Sequence, residues 1–158
     1  MTFVEKLLAA ERQNNSLLCV GLDPEPERLP ANLRALPVER GIIQFCQAII
    51  EATAPYASVF KPNLAFFEVL GPTGLVALQE ILRAIPAHIP VIADAKRGDI
   101  GSTARNYAAA IFETYGFDAV TVNHRDALAR HPLEVGGFVE RRHERIDSLA
   151  LGHNSSFR

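Results

Sequence analysis

A chain of 158 residues with 48% apolar and 22% charged side chains has the size and balance of one globular domain with a real core. A net charge of -2 gives no electrostatic reason to expect nucleic acid or an anionic membrane surface as partner. No apolar run approaches the roughly 18 residues that span a bilayer, and the acids and bases within MTFVEKLLAAERQ do not suit a secretory signal, so a cytoplasmic protein is expected.

Thr2 and Glu5 have capping-box spacing, and the residues after them predict a helix to about Asn14. Ser16 to Leu22 is a short apolar run ending at Asp23, a candidate buried strand. Pro24, Pro26, Pro30 and Pro37 mark a long loop with one short helical turn. Ile42, Ile43, Cys46, Ile49 and Ile50 repeat at helical spacing between about Val38 and Ala54. A second strand, Ala57 to Phe60, is closed by Lys61-Pro62-Asn63, and a helix is expected from about Thr73 to Ile85. Pro90 to Lys96 reads as a third strand, Gly101 to Tyr115 as a helix with Ser102 or Thr103 near its cap, and Asp118 to Asn123 as a fourth strand. Cys19 and Cys46 lack metal-ligand spacing and are expected to be small buried hydrophobes in a reducing compartment.

Apolar strands alternating with helices imply a parallel sheet buried on both faces. Four strands in residues 1–123 is about 31 residues per unit, and eight units would need about 245, the usual size of a (β/α)8 barrel. A doubly wound open sheet is the alternative fold. Asp23, Lys61 and the pair Asp94 and Lys96 fall at the carboxyl ends of three different strands, where barrel active sites are built, and no Gly-x-Gly-x-x-Gly follows the first strand. Residues 124–158 differ in character, with six arginines, four histidines and no strand-like run. Two readings of this tail are open, a disordered extension or a shifted reading frame; the second predicts barrel-like sequence in an alternative frame of the gene.

The chemistry concentrates in Asp94-Ala-Lys-Arg-Gly-Asp99. Only Lys6, Lys61 and Lys96 among the sixteen basic residues are lysine, the cation that can give up a proton in an enzyme's working range. On an extended strand Asp94 and Lys96 would share a face, and Gly98 would let the chain turn and bring Asp99 back. Two crowded carboxylates would repel unless cations lie between them, so an alternating Lys61–Asp94–Lys96–Asp99 array is expected at the barrel mouth. The bland reading of Asp-x-Lys is a surface ion pair of little worth. Arg97-Gly98-Asp99 as an adhesion tripeptide and Asn154-Ser155-Ser156 as a glycosylation triplet both lack a secretory context.

Asp94-Ala-Lys-Arg-Gly-Asp-Ile-Gly-Ser-Thr103, with Val20-Gly-Leu-Asp-Pro24 and Phe60-Lys-Pro-Asn63 in the same order, resembles the bacterial orotidine 5'-phosphate decarboxylase family. The resemblance runs to about Asn123, four-fifths of this chain and the first half of the family's barrel, so the chain is expected to stop after four βα units. It implies that Asp23 binds the ribose, that Lys61 bridges the ribose and the acidic cluster, that Asp94 faces the substrate carboxylate, and that Lys96 protonates C6. Asp99 and Thr103 would reach across a homodimer interface to the partner's ribose. Neither metal nor organic cofactor is implied, and the reaction would convert orotidine 5'-phosphate to UMP and CO2. No tail arginine matches the family's phosphate-gripping residue. The alternatives are an inactive fragment acting as an interaction module, and a magnesium-dependent sugar-phosphate decarboxylase or synthase of the same superfamily.

Overall fold

The structure is a computed structural model that describes residues 1–122 and the strand Phe138–Glu140. Helix α1 (Phe3–Asn14) opens on the expected capping box: Glu5 N donates to Thr2 Oγ1 at 3.2 Å, and Thr2 N donates to Glu5 Oε2 at 2.8 Å. Strand β1 (Leu18–Leu22) follows, then a 3-10 turn at Pro26–Arg28, a short α2 (Ala31–Arg34) and α3 (Val38–Thr53). After β2 (Ala57–Pro62) come a short α4 (Ala65–Glu68), α5 (Pro72–Ala84) and β3 (Ile92–Ala93). Helix α6 (Gly101–Ala108) continues as a π-helical stretch, Ala109–Thr114, before β4 (Ala119–Thr121) and β5 (Phe138–Glu140). No helix among the described residues is long and apolar enough to cross a membrane.

The first four strands are parallel neighbours in chain order. β1 pairs with β2, β3 pairs with β4, and single bridges from Phe60 to Val91 and Asn63 to Asp94 join the two pairs. An open doubly wound sheet reverses its order at a switch point; this one does not, and α3, α5 and α6 all pack on one face. Phe60, Val91, Ala93 and Val120 meet Ile42, Cys46, Ile50, Leu78, Ile81 and Ile111 there. The other face is lined by Val59, Ile92 and Ala119, and Phe3 of α1 covers it. Because successive strand residues point to opposite faces, Lys61, Asp94 and Thr121, each two residues further along its strand, continue that same inner face as a polar layer.

Three expectations change. β1 is largely exposed rather than buried, since among the described residues no strand lies on its outer side, and Cys19 is exposed with it whereas Cys46 is buried. The third strand is shorter than Pro90–Lys96 because the chain leaves the sheet after Asp94, and Lys96 takes a left-handed backbone with φ 49°. The sharp turn thus falls on Lys96, not on Gly98. Residues 138–140 form a strand antiparallel to β4, where no strand was expected; the apolar pair Phe138-Val139 follows two glycines. The remainder of 124–158, with both readings offered for it, lies outside the described residues.

Candidate functional site

Asp94 is the centre of the polar layer. Lys61 Nζ donates to its Oδ2 at 2.8 Å, Lys96 Nζ to its Oδ1 at 2.6 Å, and Thr121 Oγ1 to the same Oδ1 at 2.9 Å. The strands deliver these groups by register: Cys19 stands beside Val59 and Gly21 beside Lys61, so the lysine has a glycine, not a side chain, on its β1 flank. Asp94 is only 12% exposed and Lys61 30%, whereas the Lys96 side chain is 66% exposed at the open end of the cluster. That gradient sets a buried anion beneath an accessible ammonium.

Burial alone would raise the Asp94 pKa. The hydrogen bonds from Lys61, Lys96 and Thr121 and the Lys61 charge outweigh it, holding the carboxyl down at about 2. For Lys61, burial opposes the charged form, but the hydrogen bond and charge of Asp94, then the charges of Asp23 and Cys19, leave it above its ordinary value. Burial pushes the Cys46 thiol up to about 12, and raises Cys19 against the opposing charge of Lys61.

Lys61, Asp94 and Lys96 therefore come together as expected, and Asp23 stands exposed just beyond β1, close enough for its charge to act on Lys61. Asp99 does not join them. It is exposed, its Oδ1 accepts from the Ile100 amide at 2.8 Å, and among the described residues it forms no ion pair. The four-member array is thus three-membered within this chain, and Asp94 and Asp99 do not crowd one another. The physical reason is the left-handed turn at Lys96, after which Arg97 is tied to the Glu68 carboxylate and lies over the Tyr107 ring at 5.2 Å from its centroid. Thr103 is exposed on the first turns of α6. Ile100, not Ser102 or Thr103, is the residue preceding that helix, and it caps nothing with its side chain.

Two participants were not singled out from the sequence. Thr121 has a visible signal, a polar residue two positions after Ala119 on the face shared with Lys61 and Asp94, but reading it requires the strand register. Arg97 has none, because its partners Glu68 and Tyr107 lie on other elements, one before β3 and one on α6.

The orotidine 5'-phosphate decarboxylase / HUMPS family pattern matches residues 16–124. The chain is 52% identical over 121 residues to a protein of Herpetosiphon aurantiacus named orotidine 5'-phosphate decarboxylase, covering 77% of this chain and 45% of that one. A Roseiflexus protein of the same name is 53% identical over 123 residues, covering 78% and 44%. The solved structure of Leishmania donovani OMP decarboxylase superposes with a TM-score of 0.65 at 39% identity, over 76% of this chain and 43% of that one. The chain thus spans less than half the length of these three relatives, and its α/β fold of parallel strands corresponds to part of their TIM barrel.

Proposed function

The chain belongs to the orotidine 5'-phosphate decarboxylase / HUMPS family, and on that premise we propose that its cluster carries the decarboxylation of orotidine 5'-phosphate to UMP and CO2, a step of pyrimidine biosynthesis. The observation that carries the reading is the largely covered carboxylate of Asp94 held between two ammonium groups, one of them open to solvent. An ionised Asp94 favours the protonated form of Lys61 and, through its two oxygens, fixes where the Lys61 and Lys96 ammonium groups sit. That is the preorganisation that loss of CO2 from an unactivated ring carbon demands.

In the proposed reaction the bond from C6 to the carboxyl carbon breaks, its electron pair stays on C6, and CO2 departs. Lys96 faces the developing charge and transfers a proton to C6, then regains one from water. Asp94 faces the substrate carboxylate and orients Lys96, while Lys61 links the cluster to the ribose. Asp23 binds a ribose hydroxyl after β1. Asp99 and Thr103, turned away from their own cluster, serve the partner's ribose in a homodimer, for which their exposure is the support. The setting is cytoplasmic, and the chemistry asks for neither metal nor organic cofactor.

Incubating this polypeptide with carboxyl-labelled orotidine 5'-phosphate tests the reading. Labelled CO2 with equimolar UMP, undiminished by a chelator, is the expected result. No release at high protein concentration, or release that depends on added magnesium, would overturn it.

A further inference from the structure

We infer that Thr121 is a positioning residue, whose hydroxyl locks the Lys96 turn and the Asp94 carboxylate into one arrangement. For its catalytic consequence the inference rests on the decarboxylase reading above; its geometry does not depend on it. Thr121 Oγ1 accepts from the backbone amides of Ala95 and Lys96, both at 3.1 Å, and donates to Asp94 Oδ1 at 2.9 Å. A hydroxyl has one proton and two acceptor lone pairs. With both lone pairs taken by amides, its proton has a single destination, the carboxylate. The Asp94 oxygen that receives it is also the one that receives Lys96 Nζ.

A ring of contacts therefore closes from Thr121 to the Lys96 amide, along the Lys96 side chain to Asp94, and back to Thr121. Both ends of Lys96 are held, the backbone by Thr121 and the ammonium by Asp94. The backbone end needs holding, because φ 49° is a conformation that residues with a Cβ rarely adopt. The Ala95 amide also reaches Ala93 O at 3.0 Å, whereas the Lys96 amide has no acceptor besides Thr121 among the described residues. β4 thus reaches across to β3 through one hydroxyl, and a residue on a strand that bears none of the lysines sets where the Lys96 ammonium sits.

Thr121→Val and Thr121→Ser separate the hydroxyl from the side-chain volume. Hydrogen exchange at the Lys96 amide, followed by NMR, should accelerate about tenfold in the valine variant, the worth of one hydrogen bond, and return to the wild-type rate in the serine variant. Turnover of orotidine 5'-phosphate should follow the same pattern through kcat, with KM little moved. Unchanged Lys96 protection in Thr121→Val, or a serine variant that restores neither readout, overturns the inference. If Thr121→Val does not fold, the wild type decides: a Lys96 amide exchanging as fast as an unprotected loop overturns it. A wild type that leaves the substrate untouched overturns the decarboxylase reading instead, and the exchange comparison still decides the role of Thr121.

Discussion

Lys96 bonds back to the carboxylate two residues before it, Nζ to Asp94 Oδ1 at 2.6 Å, although the backbone between them has already left the strand. An extended strand would also have put the two side chains on one face, but it would have carried Lys96 onward in the plane of the sheet. The left-handed residue instead turns the main chain away and leaves a largely exposed ammonium at the open end of the polar layer.

From that position follows the first prediction. On the proposed function, Lys96→Ala should abolish decarboxylation while UMP still binds, since the proposed proton donor is lost and the proposed ribose contacts are not. Calorimetric titration with UMP beside a turnover assay checks it. Near-normal release of CO2 by the variant would refute the role.

The second concerns acid. The Asp94 carboxyl lies at about 2 in the folded chain against an ordinary 3.8. A depressed carboxyl contributes stability that is complete above its unfolded value and lost as pH falls through its folded one. The stability gap between wild type and Asp94→Asn should therefore be constant above about pH 5 and close between roughly pH 4 and pH 2. Urea midpoints of both proteins across that range measure it, and the difference between them cancels the other carboxylates. A gap that persists at pH 2 would mean that something other than ionisation sustains it.

Much of this was legible in the sequence, for identifiable reasons. Long amphipathic stretches such as α3 and α5 declare themselves because burial of one face repeats with the helical period, and their observed ends fall within a residue of expectation. Lys61 and Asp94 were legible because both sit on strands of a parallel sheet with consecutive order, so matching positions become neighbours. What was hidden depends on single dihedrals and on distant partners. The αL turn at Lys96 has no glycine to announce it, and it decides that Asp99 leaves its own cluster. The exposure of β1 depends on what stands beside it, which its apolar composition cannot report.

A third prediction concerns the far end of the sheet. Lys6 Nζ donates to Asp118 Oδ2 at 2.8 Å, and the Val91 amide donates to the same oxygen at 2.8 Å, with both charged side chains more than four-fifths buried. One carboxylate thus ties α1 to the start of β4 and to the residue before β3. Removing it strands a buried ammonium and a backbone amide, so Asp118→Ala should cost about 2–4 kcal/mol. Lys6→Met leaves Asp118 its amide partner and keeps an apolar stem, and should cost about 1 kcal/mol. Equal losses in urea unfolding would show that the amide contributes nothing.

The two thiols supply a fourth. Cys46 is wholly buried and its thiol is raised to about 12, so it offers neither access nor thiolate. Cys19 is exposed on β1, though its thiol is also raised. A disulfide-exchange reagent should label one thiol in the native protein, faster as pH rises, and two in urea. Mass spectrometry should find the native label on Cys19, and a native label on Cys46 would contradict the packing of α3 against the sheet.

The last sets two opposed effects against each other at Gly74, inside α5. Alanine is the better helix former by about 1 kcal/mol, so propensity favours Gly74→Ala. A Cβ there would overlap Phe67 O and stand 2.9 Å from the Leu70 Cβ. The first of these is backbone, and the α4 turn bearing it is pinned by the fully buried Phe67 side chain, so it cannot swing aside as a flexible side chain would. Overpacking of this kind costs about 1–3 kcal/mol or more, and at so short a distance the upper end applies. Net destabilisation of about 2 kcal/mol is expected, read as a lower urea midpoint with an unchanged slope. A neutral or stabilised variant would mean that the Phe67 carbonyl can move away from α5 after all.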